Sequence, residues 1–159
     1  MLATFMKTLI FTVFVPGTVT VAIPYLLIRS NLPLARTEIG IIRYAGLALI
    51  IPGALIYLWC AYDFWRARGT PAPIDPPKEL VVRGLYRYVR NPMYVGVLSI
   101  VFGVSISFGS GLTAVYGAGL WLMFHVFVMF YEEPTLRRLF GESYEKYCRE
   151  VGRWWPSIR

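Results

Sequence analysis

Charge is scarce in this sequence: only 16% of its 159 residues are Asp, Glu, Lys or Arg, against about a quarter in soluble domains. A water-facing surface is hard to assemble around a chain that is 57% hydrophobic, which argues against a soluble enzyme. Histidine is nearly missing, His125 standing alone, and the two cysteines are far apart, Cys60 in an apolar run and Cys148 in a charged segment. No Cys/His spacing suits a zinc or iron centre and no disulfide framework is present, so the expected chemistry is metal-free. Acidic residues are the scarcer sign, 9 against 16 basic, which leaves a net charge of +7. Such an excess can meet nucleic acid, anionic lipid headgroups or an anionic cofactor. Here the basic residues are spread along segments beside apolar runs, with no recognisable nucleic-acid motif, which argues against a nucleic-acid partner.

What the sequence has in quantity is apolar runs of the length that crosses a bilayer, about 20 residues. They cover about 5–28, 41–62, 92–108 and 112–131. The expected fold is all-α and integral to the membrane: one domain over 1–159 with four transmembrane helices. Gly109-Ser110-Gly111 leaves room only for a tight turn, so helices three and four form an antiparallel hairpin. Small residues recur along both, at Gly96, Ser99, Gly103 and Ser107, then Ala114, Gly117 and Ala118, a spacing that lets backbones approach closely in lipid. Most basic residues fall in 65–91 and in the tail 132–159, with Arg29, Arg36 and Arg43 between the first two spans and none at the hairpin tip. The positive-inside rule then places both termini and the long loop in the cytoplasm. From Pro134 to Val151, Leu136, Leu139, Phe140, Tyr144, Tyr147 and Val151 recur at helical spacing, which predicts an amphipathic helix on the membrane surface. Trp154 and Trp155 follow as headgroup anchors or as a cap on the fold.

The segment 65–91 is long and polar in a chain that otherwise wastes nothing, which marks it as functional. Prolines and Gly69 stiffen its first half, and Leu80, Val81, Val82, Leu85 and Tyr86 in the second can pack down, so an ordered cap is expected. It ends in Arg90-Asn91-Pro92-Met93-Tyr94-Val95-Gly96, where Asn91 suits a helix N-cap and Pro92 the first helical position. The unpaired N–H groups there favour an anion, with Arg87 and Arg90 adding charge, although an ordinary helix start reads the same way. At the end of helix four, Glu132 and Glu133 leave the membrane together, and carboxylates at that depth need partners. The hairpin brings Asn91 and Tyr94 beside them, where Arg87, Arg90 or Arg137 are also available for salt bridges. Arginines and helix N–H groups for a carboxylate, glutamates for an ammonium and tyrosine faces for a cation together suit an amino-acid-bearing cationic ligand.

Arg90 to Gly96, followed about 40 residues later by Glu132-Glu133-Pro134-Thr135-Leu136 and Phe140-Gly141-x-x-Tyr144-x-x-Tyr147, resembles the isoprenylcysteine carboxyl methyltransferase and phospholipid methyltransferase superfamily. The resemblance runs over about 69–156. It implies an integral-membrane enzyme that uses S-adenosylmethionine, with S-adenosylhomocysteine as product, on a lipophilic small-molecule or lipid substrate. Carried over by position, cofactor contacts fall on Lys78, Glu79, Leu80, Val81, Tyr86, Arg90, Asn91, Pro92, Met93, Tyr94 and Glu132. Glu133 and Glu132 are the candidate catalytic carboxylates, should an amine acceptor need to lose a proton. Asn91 replaces the histidine typical of the prenylcysteine enzymes, and Val128 stands about where those enzymes carry an arginine. Asn91-Pro92-Met93-Tyr94 and the Glu132-Glu133-Pro134 run look more like the phospholipid N-methyltransferases, and the two departures speak against carboxylate methylation of a prenylated protein. Two further readings remain at this point: a nicotinamide-dependent reductase on a related helical scaffold, and a non-enzymatic membrane protein binding anionic lipid through its basic face. His125, inside helix four, reads as an interhelical hydrogen bonder or a substrate-facing group.

Overall fold

The computed structural model describes residues 14–30, 32–34, 36–66 and 80–157. All named elements among the described residues are helices, and the one isolated bridge, parallel, pairs Val89 with Gly152. α1 is Phe14–Arg29 and α2 is Leu47–Arg66, the latter entered through the 3-10 turn Gly40–Gly46. α3 is Pro92–Phe108, and α4, Gly111–Phe127, returns antiparallel to it. α4 then runs without a break through the π-turn Val128–Glu132 into α5, Glu133–Phe140, and α6 is Glu142–Glu150.

Two of these helices, Gly40–Phe64 and Gly111–Phe140, are long and apolar enough to cross a membrane, whereas Phe14–Arg29 and Pro92–Phe108 are shorter apolar helices. Their outer faces carry Ile51, Leu55, Leu58, Trp59, Leu122 and Phe130, all exposed. A soluble core helix hides such residues, and their exposure along helices of this length suits association with a membrane. The four-helix outline expected above is present as helices, the first of them described only from Phe14.

Each of the two π-turns lies just ahead of a proline. A proline ring collides with the carbonyl four residues before it, and Thr18–Ala22 widens just ahead of Pro24 as Val128–Glu132 does ahead of Pro134. The hairpin closes on Gly109, whose φ of 60° only glycine adopts freely. Ser110 Oγ caps α4 by accepting from the Thr113 N–H at 3.2 Å.

The small residues of α3 serve a different neighbour from the hairpin partner alone. The most extensive helix contact is α2 with α3. A Cβ on Gly96 would sit 2.8 Å from the Gly53 carbonyl, and one on Gly103 would sit 2.7 Å from the Gly46 carbonyl. Backbones therefore touch along Gly46, Gly53, Gly96 and Gly103, and these contacts hold α2 against α3. Gly117 on α4 serves the hairpin side by receiving the Phe102 ring.

The amphipathic tail helix expected over 134–151 is two helices. Gly141, at φ 51° and ψ −127°, breaks it between α5 and α6, and α5 belongs to the long helix that begins at Gly111. The turn lets Tyr144, Tyr147 and Val151 bury themselves with Leu80, Leu136, Phe140 and Cys148, while Leu139 stays exposed. Tyr147 Oη donates to the Tyr86 carbonyl at 2.6 Å. Burial pushes the Tyr147 phenol above its ordinary pKa, so it remains a donor.

Candidate functional site

Residues 67–79 of the loop 65–91, including the expected contacts Lys78 and Glu79, lie outside the described residues. Its end is ordered as a cap. Arg83 donates to the Asp63 carbonyl at 2.6 Å, and the Gly84–Arg87 turn buries Tyr86 against Phe64, edge to face at 5.7 Å. Val81 is buried, as expected of a packed cap, while Val82 is exposed.

Between the helices lies a cavity of about 340 Å³, within the range that holds small-molecule cofactors. Val15, Pro16 and Val19 of α1, Tyr57 and Phe64 of α2, Val97 of α3, and Met123, Phe124 and Phe127 of α4 form its apolar walls. Its polar end is made by Tyr86, Arg90, Asn91, Tyr94 and Glu132, with Met93 beside them. The start of α3 and the end of α4 thus meet as the hairpin requires, and Tyr94 Oη donates to Glu132 Oε2 at 2.9 Å. Of the other expected contacts, Leu80 packs into the cluster around Tyr144, Val81 joins the core, and Pro92 is buried as the first residue of α3. None of those three lines the cavity.

Asn91 occupies the position before α3 but does not cap it through its side chain. Its Nδ2 donates instead to the Arg153 carbonyl at 3.2 Å. That bond ties the tail to the site.

The two glutamates part company. Consecutive helical residues project about 100° apart, and of the pair Glu132 is the one that lines the cavity. Glu133, 3% exposed, points to the tail. It accepts from Arg90 Nη1 at 3.0 Å, from Arg153 Nε at 2.6 Å and from Arg153 Nη2 at 3.0 Å, with Arg137 at 3.7 Å. This charge-assisted bonding holds the Arg153 guanidinium above its ordinary pKa. Arg90 Nη1 also contacts Cys148 Sγ at 2.8 Å, and Arg90 Nε is buried with no hydrogen-bond partner among the described residues.

Sequence reasoning singled out neither Arg153 nor the wall residues of α1 and α2. The signal for Arg153 was indirect: a carboxylate at membrane depth requires a cation, and the tail offered several. His125 Nδ1 accepts from Trp154 Nε1 at 3.0 Å, so its partner is the tail rather than another span. Trp155, 81% exposed, is free of that packing. Among the described residues no group of three or more His, Cys, Asp or Glu gathers as metal ligands do.

Comparison with known proteins defines the class. The family model described as phospholipid methyltransferase matches residues 41–143, a range that holds α2 through α5, and the chain belongs to that family. Among curated proteins it is similar to "probable protein-S-isoprenylcysteine O-methyltransferase" from Oryza sativa subsp. indica and subsp. japonica, each 30% identical over 124 residues, covering 76% of this chain and 64% of the relative. It is also similar to "protein-S-isoprenylcysteine O-methyltransferase" from Schizosaccharomyces pombe, 36% identical over 80 residues, covering 50% of this chain and 34% of the relative. The chain thus spans less than two thirds of the length of these relatives.

Proposed function

We propose that the protein is an integral-membrane methyltransferase that moves a methyl group from S-adenosylmethionine to a lipophilic or lipid-like acceptor. The observation that carries this reading is the cavity itself, in which Asn91, Met93, Tyr94 and Glu132 converge at one end of an apolar chamber walled by four helices. The residues suit the donor: Glu132 offers a carboxylate to an amino group, Tyr94 a ring face to a cation, and Arg90 a positive charge to a carboxylate. When bound, S-adenosylmethionine supplies a methyl group already activated on a positively charged sulfur.

Few catalytic groups are then needed, because in-line transfer mainly requires aligned and dried reactants, and alignment is worth up to roughly 7–11 kcal/mol. Phe124, Phe127 and Tyr57 exclude water from the chamber. Val15 and Met123 line it while standing partly open on the bundle's outer surface, so an acceptor held in lipid has a sideways approach between α1 and α4. In this reading Glu132, which lines the cavity, takes the proton of an amine acceptor. Glu133 holds the arginines that close the site. Four spans, with both termini and the polar end of the cavity in the cytoplasm, complete the reading. The choice between a phospholipid amine and a prenylcysteine carboxylate leans to the amine, since Glu133 already occupies Arg90 Nη1 and Arg153.

Calorimetric titration of S-adenosylmethionine and S-adenosylhomocysteine into detergent-purified protein tests this. Binding is expected in the wild type and lost in Glu132→Ala with the fold intact. Well-folded wild type that binds neither, with lipid restored, would overturn the reading and favour an anionic-lipid-binding protein. Protection by NADPH instead would favour a reductase.

A further inference from the structure

His125 and Trp154 lie outside the cavity lining, yet they end a chain of contacts that reaches it. Trp154 Nε1 donates to His125 Nδ1 at 3.0 Å, which requires Nδ1 to be unprotonated. The two rings stack at 6.1 Å and 29°, with Trp121 stacked on His125 at 5.4 Å. Trp154 lies 6.5 Å from the Tyr94 ring and Phe124 lies 4.6 Å from it. Tyr94 in turn donates to Glu132. The neighbouring tail residues grip the same place: Gly152 accepts from the Arg90 N–H at 2.9 Å, and the Arg153 carbonyl accepts from Asn91.

We propose that His125 and Trp154 are positioning residues for the polar end of the cavity. The indole–imidazole hydrogen bond keeps Trp154 folded inward, and Trp154 with Phe124 confines the Tyr94 ring so that its hydroxyl stays on Glu132. An indole N–H that loses its acceptor gains by reaching water, and Trp155 next to it already stands in the open. Released from His125, Trp154 takes the same course and uncovers one side of Tyr94. The inference rests on the reading that this end of the cavity receives S-adenosylmethionine.

The test compares S-adenosylmethionine binding by calorimetry, and the melting temperature, in wild type, His125→Leu, His125→Asn and Trp154→Phe. Asparagine returns an acceptor near the place of Nδ1, and phenylalanine keeps a ring while removing the N–H. We expect affinity to weaken roughly three- to tenfold in His125→Leu and Trp154→Phe, the loss of one hydrogen bond, with His125→Asn within about twofold of wild type. A purely structural role would lower melting temperatures and leave the dissociation constant of the folded fraction unchanged, and that result overturns the inference. So does an asparagine variant as weak as the leucine one. Should His125→Leu not fold, Trp154→Phe decides alone. Folded wild type that binds no S-adenosylmethionine overturns the methyl-donor reading and this inference with it, whereas binding that is equal in all variants overturns this inference only.

Discussion

Replacing Glu133 by glutamine preserves the shape of the side chain and one acceptor oxygen while removing the charge that Arg90, Arg137 and Arg153 share. The Arg90 pair dominates the cost. It is 3.0 Å long with side chains 12% and 4% exposed, so water does not replace the lost partner. Removing one side of a buried pair costs about 3–5 kcal/mol, and the retained amide oxygen favours the lower end, about 3 kcal/mol. Arg153, 29% exposed, relaxes towards solvent and adds a smaller amount, while Arg137, at 3.7 Å and 44% exposed, adds little. At about 2–4 °C per kcal/mol for a chain of this size, Glu133→Gln should melt about 6–12 °C below wild type. A thiol-reactive dye reads this in a Cys148→Ser background, because Cys60 is fully buried in α2 until the bundle opens whereas Cys148 is already partly exposed. Arg137→Ala, which also loses the exposed 2.7 Å pair with Glu145, should fall by no more than about 4 °C. A fall of less than about 2 °C in Glu133→Gln would refute the view that this carboxylate holds the tail to the bundle.

Gly96→Val places a branched side chain where even a Cβ meets the Gly53 carbonyl at 2.8 Å and the Tyr57 amide nitrogen at 3.1 Å. Overpacking there should cost about 1–3 kcal/mol, seen in the same melting assay, and an unchanged melting temperature would mean that α2 and α3 are not in contact at these glycines. Burial holds the phenols of Tyr86, Tyr144 and Tyr147 above the ordinary tyrosine pKa. Their contribution to stability is therefore complete below about pH 10 and is lost as pH rises from there through the folded-state values, since the unfolded chain releases protons that the folded one keeps. Tyr147→Phe should lower stability by about 1 kcal/mol, by orphaning the Tyr86 carbonyl, and make the alkaline decline shallower. An equally steep decline in the variant would refute the assignment.

Much of the candidate site was visible before folding because the hairpin is short. With Gly109 and Ser110 as the only break between α3 and α4, Asn91 and Tyr94 had to lie near Glu132 and Glu133. What spacing could not supply was rotation. A helix apolar on every side, as α3 nearly is, carries no stripe that says which neighbour it faces, so the Gly96 and Gly103 positions read as close packing without naming Gly53 and Gly46 as their partners. The same ambiguity covered the glutamates, whose division between cavity and tail depends on the phase of the helix past the π-turn.

The sequence alone determined that this chain is helical and apolar on its outside, because a backbone in lipid must bond within its own helix. It also determined where α3 begins, through Pro92, and where the hairpin turns, through Gly109. Only the tertiary structure decided that Arg153 would meet Glu133, that Asn91 would bond the tail instead of capping α3, that Gly141 would break the last helix, and that Trp154 would fold back on His125. Those outcomes depend on the path of the tail in space. A charge or an indole on that path takes whichever partner burial brings within about 3 Å, and local sequence does not encode which one that is.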